Sequence, residues 1–322
     1  MTRAVGGPAR AVGGVNRIGP MPGRTVGDLV GEAASQLGSI SEARWIVSRV
    51  TGWEDSSLLS PSYTRRRATD RVVSEVEGLV GRRRSGEPLQ YVLGTWAFRG
   101  LEVSVDRRVL VPRPETEQVV GYALERLGAA TAGVAPGRPV VVVDLGTGSG
   151  VIALSIAAEA QVPGSGSLEV WATDASPDAL DVARDNLRLL ARVDPVAARR
   201  VRLCEGSWFD ALASELAGRV QMLVANPPYV SAPEWEALDP VVRDHEPRRA
   251  LVAGETGLEV LELLVSGAPL WLAAGGLLVL EMAPHQAHAV SERARFAGFS
   301  EVDVLPDLAG CPRVFVARSS GA

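Results

Sequence analysis

The sequence predicts an α/β protein with a Rossmann-like, doubly wound sheet, preceded by a small helical domain. A run of four valines ends in Asp144-Leu-Gly146-Thr-Gly148-Ser-Gly150, and an apolar segment with helical periodicity follows it. An uninterrupted β-branched run is typical of a strand buried on both faces, as in a parallel sheet. Apolar runs of strand length recur later in the chain, whereas residues 25–91 show mainly helical periodicity. Strands that alternate with helices predict a parallel sheet.

The composition is that of an ordinary globular protein. The chain has 322 residues, of which 46% are hydrophobic and 22% charged, and its net charge is −5. The negative charge argues against stable nucleic-acid binding, and no apolar stretch has the length of a transmembrane helix. We therefore expect a soluble, cytoplasmic monomer with no membrane partner. The two cysteines and three histidines have no zinc-ligand spacing, so no metal site is predicted.

The first part of the chain is expected to contain a tail and a helical domain. Residues 1–24 carry four arginines, nine glycines or prolines and no acid, which predicts a disordered tail; Met21 is an alternative start. Residues 25–92 predict helices at 26–37, at 42–50 with Ser41 as N-cap, and at 68–82. The arginine triplets at 65–67 and 82–84 belong either to a solvated helix face or to a surface for an acidic or nucleic-acid partner.

A linker is predicted at residues 93–112, ahead of a second domain at 113–322. Residues 96–105 alternate in polarity around a glycine, as in a β-hairpin. Pro112-Arg113-Pro114-Glu115 then starts a helix that is predicted to reach residue 127. This segment either forms a rigid domain junction or lines a cleft, so Arg113 and Glu115 are candidate substrate-binding residues.

The glycines after the first strand form a candidate ligand-binding turn. Glycine has no Cβ, so such a turn allows the backbone to approach a ligand closely. The G-x-G-x-G spacing departs from the dinucleotide fingerprint and is similar to the nucleoside loop of S-adenosylmethionine-dependent methyltransferases. A purely structural glycine turn is the alternative. The candidate cofactor-binding residues here are Asp144, Gly146, Thr147, Gly148, Ser149 and Gly150.

Two further candidates follow the next predicted strands, at 168–174 and 201–204. Asp174 ends the first of these strands, and Ser176 and Pro177 follow it as N-cap and first helical residue. An acid about 20 to 30 residues past the glycine turn is placed to accept hydrogen bonds from both hydroxyls of a ribose. Trp208 follows the second strand, where it either stacks on an adenine or covers the core.

The segment Asn226-Pro227-Pro228-Tyr229 follows a predicted strand at 220–225. Prolines lack N–H groups, so the carbonyls of Asn226 and Pro227 are free to face outward as acceptors. The Asn226 side-chain oxygen and the Pro227 carbonyl suit the two hydrogens of a planar NH₂ group, with the Tyr229 ring against its plane. Such contacts aim the nitrogen at an electrophile, for example a sulfonium methyl, without an obligatory strong base. A plain turn at the end of a strand is the alternative.

Four segments together resemble the glutamine-N5 methyltransferases of peptide-chain release factors, the PrmC/HemK family. They are the segment at 226–229, the loop at 144–150 and the stretches at 112–117 and 88–94, and the likeness runs from about residue 25 to residue 318. The resemblance implies a class I methyltransferase domain with a seven-stranded sheet, whose remaining strands are expected at 277–282, 301–305 and 312–317. It also implies that the helical domain docks the substrate.

The resemblance further implies S-adenosylmethionine as cofactor and class I release factors as protein substrates. The cofactor would be held by Gly146 to Gly150, Asp174, Trp208 and Asn226, and the glutamine of a Gly-Gly-Gln segment by Asn226 to Tyr229. Asn226, Pro227 and Tyr229 are the expected catalytic residues. The alternatives are an N-methyltransferase for a ribosomal-protein glutamine or for an exocyclic amine of DNA or RNA, and a non-enzymatic cofactor-binding module. The negative net charge of the chain argues against a nucleic-acid substrate. The intact segment at 226–229 argues against a non-enzymatic module.

Overall fold

A computed structural model of the protein describes residues 23–131, 134, 135, 137–162 and 167–320. Most of the predicted tail, including Met21, lies outside the described residues. The chain divides into two compact units between Leu93 and Gly94. None of the helices in the described ranges is long and apolar enough to cross a membrane.

The first unit is helical. Its helices are α1 (Val26–Leu37), α2 (Ile40–Thr51), α3 (Pro61–Thr64), α4 (Asp70–Arg84) and α5 (Leu89–Leu93), with a 3₁₀ helix at Asp55–Leu59. Apolar side chains at helical spacing, among them Leu29, Ile46 and Val72, are almost fully buried between α1, α2 and α4. This amphipathic pattern confirms the predicted helices.

The predicted N-cap at Ser41 is wrong. Gly38 ends α1 in a left-handed conformation, and Ser39 is already extended and caps α2 through a hydrogen bond from the Glu42 backbone N–H to its side chain. Ser39 precedes Glu42 by three residues, which is the spacing at which an N-cap side chain reaches the N3 amide. Ser41 lies inside the first turn.

Each arginine of the second triplet has a partner within the helical unit. The pairs are Arg82 with Glu87, Arg83 with Glu42 and Arg84 with Gln36. In the first triplet, Arg66 lies over the rings of Trp53 and Tyr63. These internal partners favour the interpretation of the triplets as part of a solvated, self-paired helix surface.

The second unit contains the predicted hairpin, a large sheet and its helices. The strands are β1 (Thr95–Phe98), β2 (Leu101–Ser104), β3 (Val140–Leu145), β4 (Leu168–Asp174), β5 (Val201–Glu205), β6 (Val220–Ala225), β7 (Val230–Ser231), β8 (Val252–Gly254), β9 (Leu272–Glu281), β10 (Phe299–Pro306) and β11 (Pro312–Ser319). The helices are α6 (Pro114–Ala130), α7 (Val151–Glu159), α8 (Pro177–Val193), α9 (Pro195–Ala198), α10 (Ala232–Glu236), α11 (Pro240–Arg243), α12 (Glu259–Trp271) and α13 (Ala287–Phe296).

The large sheet has seven strands, as predicted. Their order is β10-β11-β9-β6-β3-β4-β5, and β11 runs antiparallel to both of its neighbours while the others are parallel. The chain leaves β3 toward β4 and β5 on one side and later returns to place β6 on the other side. In an open α/β sheet, a ligand crevice forms at such a switch point, beyond the carboxyl ends of the strands.

A buried asparagine fixes the β1–β2 hairpin to this unit. The side chain of Asn186 in α8 accepts from the Ser104 backbone N–H at 2.6 Å and donates to the carbonyls of Ser104 and Ser149 at 3.1 and 2.8 Å. The hairpin, α8 and the glycine turn are therefore joined by one side chain. The short parallel pair β7–β8 was not predicted, because two- and three-residue strands carry no periodic pattern.

Candidate active site

A cavity opens beyond β3 and β6, at the switch point of the sheet. Its volume is about 1060 Å³ including the part open to solvent. Nine of the predicted site residues line it: Arg113, Gly146, Thr147, Gly148, Ser149, Asp174, Trp208, Asn226 and Pro228. Five do not line it: Glu115, Asp144, Gly150, Pro227 and Tyr229. The structure thus brings most of the predicted residues together.

The glycine turn needs glycine for two different reasons. At Gly146, φ is +76°, and an added Cβ would lie 3.1 Å from Cζ3 of Trp208, so this position allows the indole to cover the turn. At Gly150, φ is +86°, and an added Cβ would meet the side chains of Leu154 and Ala183. Gly150 therefore serves the packing of α7, whereas Gly146 and Gly148 form the wall of the cavity.

Trp208 lies between the core and the cavity, a position that fits both alternatives that the sequence left open. It packs against the main core cluster and also lines the cavity beside Gly146. Its own backbone has φ of +47°, a left-handed conformation that is rare for a bulky residue. The side chain is half-buried, so one part of the indole remains available to a flat ligand.

Asp174 has the geometry required for a pair of hydroxyl donors. Its Oδ2 accepts from the Gly148 backbone N–H at 2.9 Å, and its Oδ1 accepts from the Ser176 backbone N–H at 2.8 Å. An ionised carboxylate has about four acceptor positions, so each oxygen retains one for a ligand. The two backbone bonds fix the carboxylate at the cavity wall, and among the described residues no other donor takes the remaining positions.

Asp144 lies beneath the glycine turn and not at the cavity. It is fully buried, and its Oδ2 accepts from Thr147 Oγ1 at 2.6 Å and from the Ala153 backbone N–H at 3.1 Å. Its Oδ1 is buried without a hydrogen-bond partner among the described residues. Burial raises the pKa of Asp144 to about 7. The contacts that the structure gives Asp144 are those of a residue that holds the turn together.

The segment at 226–229 divides between the cavity and the interior. Asn226 lines the cavity, and its Nδ2 donates to Thr116 Oγ1 at 3.0 Å. Pro227 is buried, and the Tyr229 hydroxyl donates to Glu281 Oε1 at 3.1 Å instead of facing the cavity. Burial, more than any other effect, raises the pKa of the Tyr229 hydroxyl, so the phenol stays protonated.

Arg113 and Glu115 also differ in position. Arg113 forms an ion pair with the buried Glu246, whose other oxygen accepts from the Val111 backbone N–H at 3.0 Å. These bonds fix the segment ahead of α6, which forms part of the cavity wall. Glu115 lies in the first turn of α6 and does not reach the cavity lining.

Sequence reasoning missed several side chains that complete the site. Arg249 lines the cavity and donates a hydrogen bond to the side chain of Ser176, and Thr116 lies next to Asn226. Glu246 and Glu281 support the lining from the interior. Thr116 lies in one of the four segments that carry the family resemblance, but sequence alone does not show that these four side chains are neighbours in space. No group of three metal-ligating side chains occurs in the described part of the chain.

These features define a class I methyltransferase. The mixed sheet contains a single antiparallel strand, and the ligand cavity lies at the ends of β3, β4 and β6. A family model named "Methyltransferase small domain" matches residues 134–241, and a model named "PrmC N-terminal domain" matches residues 30–94.

The chain belongs to the release factor glutamine methyltransferase family. The release factor glutamine methyltransferase of Moorella thermoacetica is 38% identical over 304 residues, which cover 91% of this chain and 98% of that protein. The Escherichia coli enzyme of the same name is 32% identical and covers 89% of this chain and 96% of its own length. Among solved structures, a release-factor-specific protein-(glutamine-N5) methyltransferase from Alicyclobacillus acidocaldarius is 26% identical with a TM-score of 0.37, covering 65% of this chain and 94% of that one.

Replacement of Asp174 by alanine is expected to weaken S-adenosylmethionine binding at least about tenfold, because hydrogen bonds to a charged group contribute roughly 1.5 to 3 kcal/mol each. Calorimetric titration of the full chain measures this affinity. The matched control is Asp178→Ala, which removes an exposed acid from the first turn of α8. Unchanged affinity in the Asp174 variant would remove this residue from the ribose site.

Replacement of Asp144 by asparagine removes a buried carboxyl group whose protonation depends on pH. The folded-state pKa of about 7 lies above the ordinary value of 3.8, so proton binding favours the folded state. The wild type should therefore lose stability relative to the variant as pH rises from about 4 to about 7, by up to about 1.4 kcal/mol per pH unit. Urea unfolding at about pH 5 and about pH 8 measures the free energies, with Asp178→Asn as control. A difference that does not change with pH would contradict this interpretation.

Proposed function

We propose that this protein transfers a methyl group from S-adenosylmethionine to the side-chain nitrogen of the glutamine in the Gly-Gly-Gln segment of class I release factors, in the cytoplasm. The observation that carries the proposal is the arrangement of Asn226. Its amide nitrogen is engaged by Thr116, and its Oδ1 has no donor among the described residues although the residue lines the cavity. An acceptor of this kind favours a hydrogen-bond donor, such as the NH₂ group of a glutamine, over the carboxylate of a glutamate.

The residues of the cavity fit the cofactor. The two free acceptor positions of Asp174 match the two hydroxyls of a ribose, and the half-buried indole of Trp208 offers a flat surface to an adenine. The backbone of Gly146 and Gly148 and the start of α7 lie beside them. When bound, the cofactor supplies an electrophilic sulfonium methyl with a neutral thioether as leaving group.

The residues at 226–229 would orient the acceptor. The Oδ1 of Asn226 and the backbone carbonyl of Pro227 would accept the two hydrogens of the glutamine NH₂ group. An amide nitrogen is a poor nucleophile because its lone pair is delocalised, and two acceptors raise its electron density and fix its direction. The contribution of the protein is then positioning and electrostatics, which are large terms in group transfer.

Residues 25–92 are proposed to dock the release factor away from the glutamine. Binding energy from contacts far from the reacting atoms can raise kcat/KM, because it positions the substrate for reaction. The match of residues 30–94 to the PrmC N-terminal domain supports a role specific to this family. A monomer is the simplest state for this reaction.

The test is intact-mass analysis of a release factor after incubation with the full-length protein and S-adenosylmethionine. We expect a gain of one methyl group on the factor and none on a factor whose Gly-Gly-Gln glutamine is alanine. A peptide of that loop, a ribosomal protein and DNA serve as competing acceptors. Methylation of the alanine variant, or preferred methylation of DNA or the ribosomal protein, would overturn the assignment; equal kcat/KM for factor and peptide would overturn the docking role.

Replacement of Asn226 by alanine separates binding from chemistry. The loss of an oriented polar group that acts on the reacting centre is expected to lower kcat by about a hundredfold or more. The affinity for S-adenosylmethionine should fall much less, and Asp178→Ala again provides the control. Near-wild-type turnover of the Asn226 variant would exclude the proposed role of the amide.

A further inference from the structure

Behind Asn226, four polar side chains form one continuous hydrogen-bonded chain. Asn226 Nδ2 lies 3.0 Å from Thr116 Oγ1, which lies 2.7 Å from Glu281 Oε2, and the other oxygen of Glu281 lies 3.1 Å from the Tyr229 hydroxyl. Thr116 is in the first turn of α6, and Glu281 is the last residue of β9. Glu281 and Thr116 are only 1% and 3% exposed, so water does not replace these bonds. The chain joins three separate elements at the acceptor site.

When it is ionised, the carboxylate of Glu281 sets the direction of every bond in this chain. An ionised carboxylate can only accept, so Thr116 and Tyr229 must both donate to it. A threonine hydroxyl has one proton, and once that proton points at Glu281 the oxygen can only accept from Asn226. The nitrogen of the Asn226 amide must therefore face Thr116. A rotation of that amide by 180° would place two acceptor oxygens against each other.

The groups around Glu281 act in opposite directions on its charge. Burial and the negative charge of Glu115 raise the pKa of Glu281, whereas the hydrogen bonds from Thr116 and Tyr229 and the positive charge of Arg313 lower it; burial is the largest effect. Glu281 therefore takes up a proton more readily than an exposed glutamate. A protonated Glu281 can donate to Thr116, which frees the hydroxyl proton and removes the constraint on Asn226.

We propose that Glu281 and Thr116 are positioning residues that fix the Asn226 amide with its oxygen toward the acceptor, and that they thereby make the site selective for an NH₂ donor. This inference rests on the proposed function. With the amide reversed, the site would present an NH₂ group to the NH₂ group of the substrate, and the two donors would repel. The selectivity for glutamine over glutamate then originates two residues behind the one that touches the substrate.

The variant Thr116→Val removes the hydroxyl at nearly constant volume, and Thr116→Ser keeps the hydroxyl without the methyl group. Valine removes the acceptor for Asn226 Nδ2, so kcat on a release factor should fall about thirtyfold or more, as for the loss of one oriented polar group. Serine restores the hydroxyl, and its kcat should stay within about threefold of wild type. The affinity for S-adenosylmethionine should change less than about threefold in both variants, because the hydrogen bonds that hold Asp174 come from Gly148 and Ser176 and not from Thr116.

The variant Glu281→Gln tests whether the carboxylate of Glu281 sets the direction of the hydrogen bonds through Thr116 to Asn226. A glutamine can donate or accept toward Thr116, so the orientation of Asn226 is no longer enforced and kcat should fall. Because both residues act through one chain, the double variant Thr116→Val, Glu281→Gln should be no more than about threefold slower than Thr116→Val alone. Glu301→Gln, at an exposed glutamate of β10, is the matched control.

Two readouts separate positioning from a merely structural role. The kcat of the wild type should decrease as pH falls through the pKa of Glu281, and this decrease should be absent in Thr116→Val and in Glu281→Gln. In nitrogen-15 spectra of the full-length protein without substrate, the side-chain NH₂ signals of Asn226, assigned with Asn226→Ala, should move in both variants and not in Glu301→Gln. These spectra do not depend on the identity of the acceptor.

The outcomes distinguish the inference from the proposed function. Wild-type protein that methylates no release factor would refute the function, and the spectra would still test the chain. Three results would each overturn the positioning role. They are wild-type turnover in Thr116→Val, losses of kcat that multiply in the double variant, and Asn226 signals that do not move in either variant. Failure of Thr116→Ser to restore kcat would do the same.

Discussion

The parallel pairing of β3 with β6 is the constraint on which the site depends. Asp144 in β3 lies opposite Val224 in β6, so the glycine turn and Asn226 leave the sheet side by side. Both strands are buried along their whole length, and a shift of their register by one residue would turn every side chain to the opposite face. The proposed cofactor and acceptor parts of the site are thus placed relative to each other by the hydrophobic core.

Buried acids then fix the loops that the sheet brings together. Asp144 holds the glycine turn, Glu246 holds the segment before α6, and Glu281 holds Thr116 and Tyr229. A buried polar group is costly unless it is hydrogen-bonded, so each of these acids favours the loop conformation that supplies its hydrogen bonds. The three acids support the cavity without lining it, whereas Asp174, which lines the cavity, is only half-buried. Burial thus separates the acids that organise the site from the acid proposed to meet a ligand.

Sequence reasoning predicted those parts of the structure that depend on local pattern. The valine run of β3 and the Ser176-Pro177 start of α8 were predicted correctly, because β-branched runs and N-cap residues act within a few positions. The same reasoning placed Asp144 among the ligand-binding residues, although the structure buries it beneath the turn. Whether a strand-end acid points at a cavity or beneath a loop depends on packing. Thr116 and Glu281 are 165 positions apart, and no local pattern indicates their hydrogen bond.

The hydrogen bonds of Glu281 indicate whether this residue could act as a base in the proposed reaction. Both of its oxygens accept hydrogen bonds from the protein. The carboxylate is also 1% exposed and does not line the cavity, so it does not reach a substrate proton. A neutral amide nitrogen that gains a methyl group becomes far more acidic, and its proton can leave to water after the transfer. Orientation of the lone pair is needed before the transfer, and a strong base is not. A buried acid that directs an amide through a hydroxyl provides orientation without acting on the substrate proton, which is the division of roles expected where positioning dominates the rate.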